Sequence, residues 1–170
     1  MVEVGSPTQM QLRPARPEDR FRIHHWLADP HVHAAWGNAA SAEAEINLAM
    51  GSTAALCRII ECDGEAIGYA HALEVGLFGD RPADLAPGTW QVTLAIASPQ
   101  DRHRALESAA LALITGEVFA TTLAVACATL VPITNEAAVR ACERAGFRWR
   151  RILDDRLLGP AWLLLKERPQ

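Results

Sequence analysis

The feature that most constrains the fold lies between residues 90 and 128, where the hydrophobic period changes twice. From Trp90 to Ala97 the chain alternates. Trp90, Val92, Leu94 and Ile96 fall on one side and Gln91, Thr93 and Ala95 on the other, as in a strand. From about Ala105 to Phe119 the apolar residues Leu106, Ala110, Leu113 and Ile114 recur at helical spacing. Leu123 to Ala128 is then a near-continuous apolar run, the look of a central strand covered on both faces. Strand, helix and strand in succession imply a crossover, with two parallel strands in one sheet and the helix packed on it.

The flanking sequence extends that layer. Met10 to Pro14 reads as a first strand, and Pro17 opens a helix with Glu18 and Asp19 at its favourable end. Phe21, Ile23, Trp26 and Leu27 are its apolar residues, and Asp29-Pro30 ends it. His31 to Trp36 makes another short helical turn, and a third helix starts at Ser41 and runs to about Met50, closed by Gly51. Ala54–Cys62 and Glu65–Val75 are strands joined by the hairpin turn Asp63-Gly64. The segment 76–88 is a long loop rich in Gly, Pro and Asp, a length that suits a lid or binding loop. Thr134-Asn135 supplies N-cap chemistry for a helix through Arg144, with Gly146 at C′ and Phe147 placed for the accompanying apolar contact. Strands near Phe147–Leu153 and Ala161–Glu167 follow, with Asp154-Asp155 between them. The order predicts an α/β (α+β) fold: a central mixed, twisted sheet of about six or seven strands with helices on both faces. One domain spans 1–170, with 1–8 expected as a flexible N-terminal segment.

Composition removes several function classes. The chain has 170 residues, half of them hydrophobic, and 16 basic against 20 acidic residues give a net charge of −4. Lys166 is its single lysine. A mildly acidic domain lacks the basic footprint of a nucleic-acid binder. No run approaches the roughly 18 apolar residues of a membrane span, and the first nine residues lack a signal-peptide pattern, so a cytoplasmic location is expected. Cys57, Cys62, Cys127 and Cys142 form no close-spaced pair and are expected as free thiols in apolar surroundings. His24, His25, His31 and His33 cluster, but no Cys or carboxylate completes a convincing ligand set, and no metal is expected.

The run Asn135-Glu136-Ala137-Ala138-Val139-Arg140-Ala141-Cys142-Glu143-Arg144-Ala145-Gly146-Phe147 resembles the N-x-x-A-x-x-x-Y-x-x-x-G-F signature of the GNAT acetyltransferases. Upstream, Pro87-Gly88-Thr89-Trp90 leads into a strand, and Ala97-Ser98-Pro99-Gln100-Asp101-Arg102-His103-Arg104-Ala105-Leu106-Glu107 leads into a helix, similar to the family's strand, phosphate loop and helix. The stretch from Ile23 to Val32, followed by Trp36-Gly37, is similar to the start of the aminoglycoside 6′-N-acetyltransferase and siderophore-type branch. The resemblance implies a GNAT fold that binds acetyl-CoA between two splayed parallel strands and transfers the acetyl group to a small-molecule amine. It places Leu94, Ala95 and Ile96 against the thioester and pantetheine arm. Arg102, His103, Arg104, Ala105, Leu106 and Glu107 fall at the pyrophosphate, and Asn135 and Ala138 also contact CoA. Homodimers occur among such relatives.

Four positions depart from the family pattern. Ala105 and Glu107 stand where glycines are expected. A carboxylate about 4 Å from a phosphate would repel it by about 4 kcal/mol at an effective dielectric near 20. Arg102, His103 and Arg104 offer compensation. Glu107 also suits the first turn of a helix, and Ser98-Pro99-Gln100-Asp101 reads alternatively as a capping box. Thr93 occupies the position of a carboxylate in the relatives and cannot act as a base near neutral pH. Cys142 replaces the signature tyrosine; it is either an acid for the leaving thiolate or small core filler. The chain's single tyrosine is Tyr69. Glu74, Asp80 and Asp84 are the base or acceptor-binding candidates, with a solvated loop as the competing reading. Trp26 and Trp36 are the candidate walls of an acceptor pocket. The leading function is N-acetyl transfer to a primary amine, aminoglycoside-like by resemblance. The rivals are a catalytically weak or silent GNAT-fold binding protein and transfer of another acyl group.

Overall fold

The computed structural model describes residues 8–37, 39–79, 81–97 and 106–170, with the side chains of 33–35 outside that description. The elements are β1 (Met10–Pro14), α1 (Asp19–Leu27), α2 (Pro30–Trp36), α3 (Ala39–Met50), β2 (Leu56–Cys62), β3 (Glu65–Glu74) and β4 (Thr89–Ile96), followed by α4 (Leu106–Thr121), β5 (Ala126–Pro132), α5 (Glu136–Arg144), β6 (Arg148–Asp155) and β7 (Gly159–Glu167). Seven strands form one sheet in the order β1-β2-β3-β4-β5-β7-β6. β4 and β5 are parallel, as the crossover requires, and the other neighbouring pairs are antiparallel.

Local chemistry accounts for the turns. Asp63 and Gly64 take φ of 50° and 83°, the two left-handed central residues of a type I′ hairpin turn. The Asn135 side chain accepts a hydrogen bond from the Ala138 N–H at 3.1 Å and so caps α5. At the other end, Gly146 turns left-handed at φ 96°. The Gly146 and Phe147 N–H groups donate to the carbonyls of Glu143 and Cys142, each at 3.0 Å, a Schellman closure with Phe147 buried behind it. Lys166 adds a bond to the Ala145 carbonyl at 3.0 Å, so the single lysine serves a helix C-terminus.

The sheet is covered on both faces. Val92 and Ile96 of β4 join Ala70, Ala72, Leu106, Ile114, Val118, Cys142 and Phe147 in the core under α4 and α5. Ala95 and Ala97 face the opposite way, into the core under α1, α2 and α3 with Ile23, Leu27, Trp36, Ile46, Ile59 and Tyr69. The expected alternation of β4 therefore separates the two layers.

Three sequence expectations shift. Phe21 is 85% exposed, because Ile23 and Leu27, one turn apart, supply the buried stripe of α1. The apolar run from Leu123 does not itself form the strand: β5 starts at Ala126, and Leu123 is 94% exposed. Arg168 donates through its side chain to the carbonyls of Phe119, Thr122 and Ala124, which ties the end of α4 and the connection after it. Val125 is the first residue to bond across the sheet, to Gly88 and Arg168. β6 continues to Asp155, whose carboxylate accepts from the Leu157 and Leu158 N–H groups, which moves the final turn to 156–158.

Asp19 ties β1 to α1. Its buried carboxylate takes both ends of the Arg13 guanidinium at 2.8 Å and the Arg16 N–H at 2.8 Å. The Arg13 bonds hold its pKa below the usual 3.8 despite the opposing cost of burial. A depressed carboxylate contributes stability above its unfolded pKa, and that contribution is lost as pH falls through the folded value. Asp19→Asn is therefore expected to cost about 2 kcal/mol at pH 7 in urea unfolding, and the gap from wild type to narrow as pH falls below about 3.8.

Candidate active site

β4 and β5 pair at three positions, Thr89 with Ala126, Trp90 with Cys127 and Gln91 with Ala128. β4 then stays with β3 as far as Ile96 opposite Gly68, while β5 follows β7 to Pro132 opposite Ala161. The parallel strands thus part beyond Gln91. The Val75 N–H donates to the Thr89 carbonyl and the Ala97 N–H to the Ile67 carbonyl, so the odd-numbered residues of β4 bond to β3. Leu94 and Ile96 consequently turn their backbone N–H and C=O groups toward the side that β5 has left. Fixed N–H donors on a parted edge suit a polarised carbonyl oxygen.

A small apolar recess under the N-terminal helices, with room for about one water molecule, has Trp26, Val32, Trp36, Tyr69, Ala95 and Ala97 among its walls. Trp36 is 2% exposed, and its indole N–H has no partner. Its ring lies 5.5 Å from that of Tyr69 and 5.2 Å from that of His71, centroid to centroid. After Trp36 the chain turns at Gly37, with φ +84°, against the β6–β7 turn. A Cβ on Gly37 would sit 2.7 Å from the Leu157 carbonyl oxygen, so a side chain is excluded there.

Sequence inspection missed a polar chain that crosses this apolar face. The Tyr69 hydroxyl meets His71 Nδ1 at 3.1 Å, and His71 Nε2 meets a Glu45 carboxylate oxygen at 3.2 Å. The half-buried Cys57 thiol lies near the hydroxyl and interacts with it electrostatically. Burial raises the Tyr69 pKa, and the neighbouring Cys57 and Glu45 raise it further, so the phenol stays protonated. The one available sequence signal was the isolated His71 in a strand of small apolar residues, Ile67 to Leu73.

Other candidate residues are placed as follows. Thr93 is half-buried and directly opposite His71 in the β3–β4 register, so the two share a face. Glu74 pairs with Trp90, whose side chain packs in the other layer, and so lies on the sheet face opposite to His71 and Thr93. Asp84 makes a two-point ion pair with Arg151 of β6 at 2.5 and 3.0 Å, and those bonds lower its pKa. With Leu85 buried against β5 and β7, that pair pins the long loop. Asp80 and the phosphate-loop residues Arg102, His103, Arg104 and Ala105 lie outside the described residues, as does the alternative capping box. Leu106 is buried and Glu107 half-buried in the first turn of α4, where Glu107 acts electrostatically on Cys142. Ala138 is half-buried on α5. Cys142 is buried beside α4, and desolvation, with Glu107 and Glu143 adding, pushes its thiol up to about 12. Among the described residues no group of His, Cys, Asp and Glu is placed to hold a metal, and no helix is long and apolar enough to cross a membrane.

These thiols yield a direct check. Cys127 is likewise pushed up to about 12 by burial. A thiol that holds its proton does not alkylate. In native protein at pH 8, iodoacetamide is expected to leave Cys127 and Cys142 unmodified. Cys57 should react first and slowly, and all four should label in denaturant, as read by mass spectrometry.

A two-layered α/β domain whose parallel strands part at the centre has the architecture of an acyl-transfer domain. A family model described as an acetyltransferase (GNAT) domain matches residues 16–154. The chain belongs to the GNAT acetyltransferase family. It is similar in fold to the aminoglycoside acetyltransferase AAC(6')-Ib solved with paromomycin and acetyl-CoA, at TM-score 0.80 and 21% identity over 94% of each chain. It is also similar to spermidine N-acetyltransferase from Vibrio cholerae solved with CoA and spermine, at TM-score 0.73 and 15% identity over 94% of this chain and 96% of that one. An uncharacterized protein from Bacillus halodurans matches at TM-score 0.78 and 13% identity over 94% and 84%. No functionally curated sequence matches significantly.

Proposed function

We propose that the protein is an acetyl-CoA-dependent N-acetyltransferase that modifies a primary amine of a small molecule by direct attack in a ternary complex. The observation that carries this reading is the parted β4–β5 pair, with the Leu94 and Ile96 backbone donors aimed into the opening. Family membership and the aminoglycoside- and spermidine-modifying neighbours support an amine acceptor. Aminoglycoside-like acceptors lead the candidates by that resemblance.

Each element has a task in this reading. The acetyl donor supplies an activated thioester carbonyl when bound. The β4 edge, through the backbone groups of Leu94 and Ile96, binds the pantetheine arm and donates to the carbonyl oxygen, while Ala95, whose backbone is paired with Tyr69 of β3, lies between them without a free donor. The start of α4, at Leu106 and Glu107, and residues 102–105 before it receive the pyrophosphate. Asn135 spends its side-chain oxygen on the α5 cap, which leaves the amide nitrogen for CoA. Cys142, buried under α4 with its thiol pushed up to about 12, is too weak an acid to protonate the leaving thiolate and serves as core filler in this reading. Trp26 and Trp36 wall the small recess on the acceptor side. The protein then acts on small molecules, with no nucleic acid or membrane in its chemistry.

Calorimetry or thermal shift with CoA and acetyl-CoA tests the reading. Saturable stabilisation is expected, reaching about 2.7 kcal/mol at one hundred times Kd and weakening with salt. No shift at millimolar ligand overturns the proposal. With CoA binding established, a panel of amines with thiol-release detection identifies the acceptor, and other acyl-CoA thioesters test the donor. CoA binding without turnover of any amine favours a silent binding protein.

A further inference from the structure

The polar chain beneath α1–α3 is built into a face that is otherwise carbon. His71 is 1% exposed and uses both ring nitrogens, one toward Tyr69 and one toward Glu45. Burying an imidazole among Ile59, Trp36 and Tyr69 costs stability unless its polar atoms are bonded, and here they are. An imidazole fixed at both nitrogens can no longer meet a substrate. It can hold a carboxylate in one orientation, and the Glu45 side chain is 30% exposed. The network therefore has a buried end at Tyr69 and an open end at Glu45.

The surroundings single out that open end. Thr93, opposite His71 and one strand nearer the gap, has no group that takes a proton from an ammonium near neutral pH. Glu74 lies on the other face of the sheet, and Asp84 is engaged with Arg151. Glu43, also on α3, meets His24 at 3.3 Å. Glu45 is, among the described residues, the carboxylate that shares the face of His71 and Thr93 and is held by a buried partner.

We propose that Glu45, oriented by His71, receives the proton of the acceptor amine from the face where Thr93 offers no carboxylate. The assignment rests on the acetyltransferase reading above. The ammonium gives one proton, through water, to the Glu45 carboxylate. The freed nitrogen forms a C–N bond to the thioester carbon, and the C–S bond breaks. The second nitrogen-bound proton ends on the departing thiolate, and Glu45 returns its proton to solvent. The sum is ammonium and acetyl thioester giving amide, thiol and one proton. His71 is a positioning residue: it acts through Glu45.

Kinetics of full-length variants with the amine found for the wild type test this. Each variant is first checked for wild-type stabilisation by CoA. Glu45→Gln is expected to lower kcat by about 100-fold or more, with KM for acetyl-CoA within about twofold of wild type. Adding Thr93→Asp to Glu45→Gln is expected to restore at least about tenfold, because a carboxylate returns to the same face beside the gap. His71→Leu should match Glu45→Gln, whereas His71→Gln, whose amide can still donate to Glu45, should lose less than about tenfold. Glu45→Gln within about threefold of wild type overturns the assignment, as does a loss that Thr93→Asp leaves uncorrected. If wild type binds CoA but acetylates no amine, the functional reading itself fails. Wild-type turnover that survives Glu45→Gln removes only the role of Glu45.

Discussion

The three-position pairing of β4 with β5 is the constraint on which the rest of the structure depends. A parallel pair that stayed in register would close the sheet and satisfy the Leu94 and Ile96 backbone groups within the protein. Instead each strand is held from its outer side, β4 by β3 and β5 by β7. Antiparallel partners on the outside can keep two strands straight while the inner seam opens. The small residues Ala126, Cys127 and Ala128 mark the end of the seam where the strands meet. The two cores stay separate on either face, so opening the seam breaks neither of them.

The two faces are built on different terms. Under α4 and α5 the side chains are mostly apolar, with the buried Thr115 and the Arg58–Glu117 ion pair at the β2 end as polar members. Under α1–α3 the same sheet carries a phenol, an imidazole and a carboxylate in bonded succession. A core can hold such groups only when the geometry satisfies each of them. That fixes the relation between α3 and β3 more tightly than apolar packing would. A Leu or Met in place of His71 would fill the space but would leave Glu45 free to turn.

Much of the fold was legible because it rests on local chemistry. The alternation of β4, the Asp63-Gly64 turn, the Asn135 cap and the Gly146–Phe147 closure are decided by residues within a few positions of one another, and each appears as expected. Errors arose where a distant residue intervenes. The run from Leu123 reads as strand until Arg168, more than forty positions away, takes the carbonyls that a strand would offer to its neighbour. The site follows the same division. Trp26 and Trp36 stood out as large aromatics near the N-terminus, and both line the small recess under the helices, Trp36 as a fully packed core residue. The Glu45–His71 contact joins residues 26 positions apart through the register of a hairpin against a helix, which no local pattern encodes. Asp84 looked like an acceptor group in isolation, and its partner Arg151 lies 67 positions on.

The place of β7 in the sheet has a consequence for how the domain assembles. β7 follows β6 in the chain, yet it lies between β5 and β6 and gives β5 its outer support. The turn leading into it also seats Gly37 at the end of α2. During synthesis, β1 to β4 and the helices above them can pack as soon as they emerge, while β5 and β6 have no strand to join them. The seam can take its open shape only when β7 arrives. The outer support of β5 and the seat of Gly37 are both completed by that late stretch. A ribosome stalled short of Gly159 would hold a folded half-sheet whose exposed β4 edge is a template for any other strand.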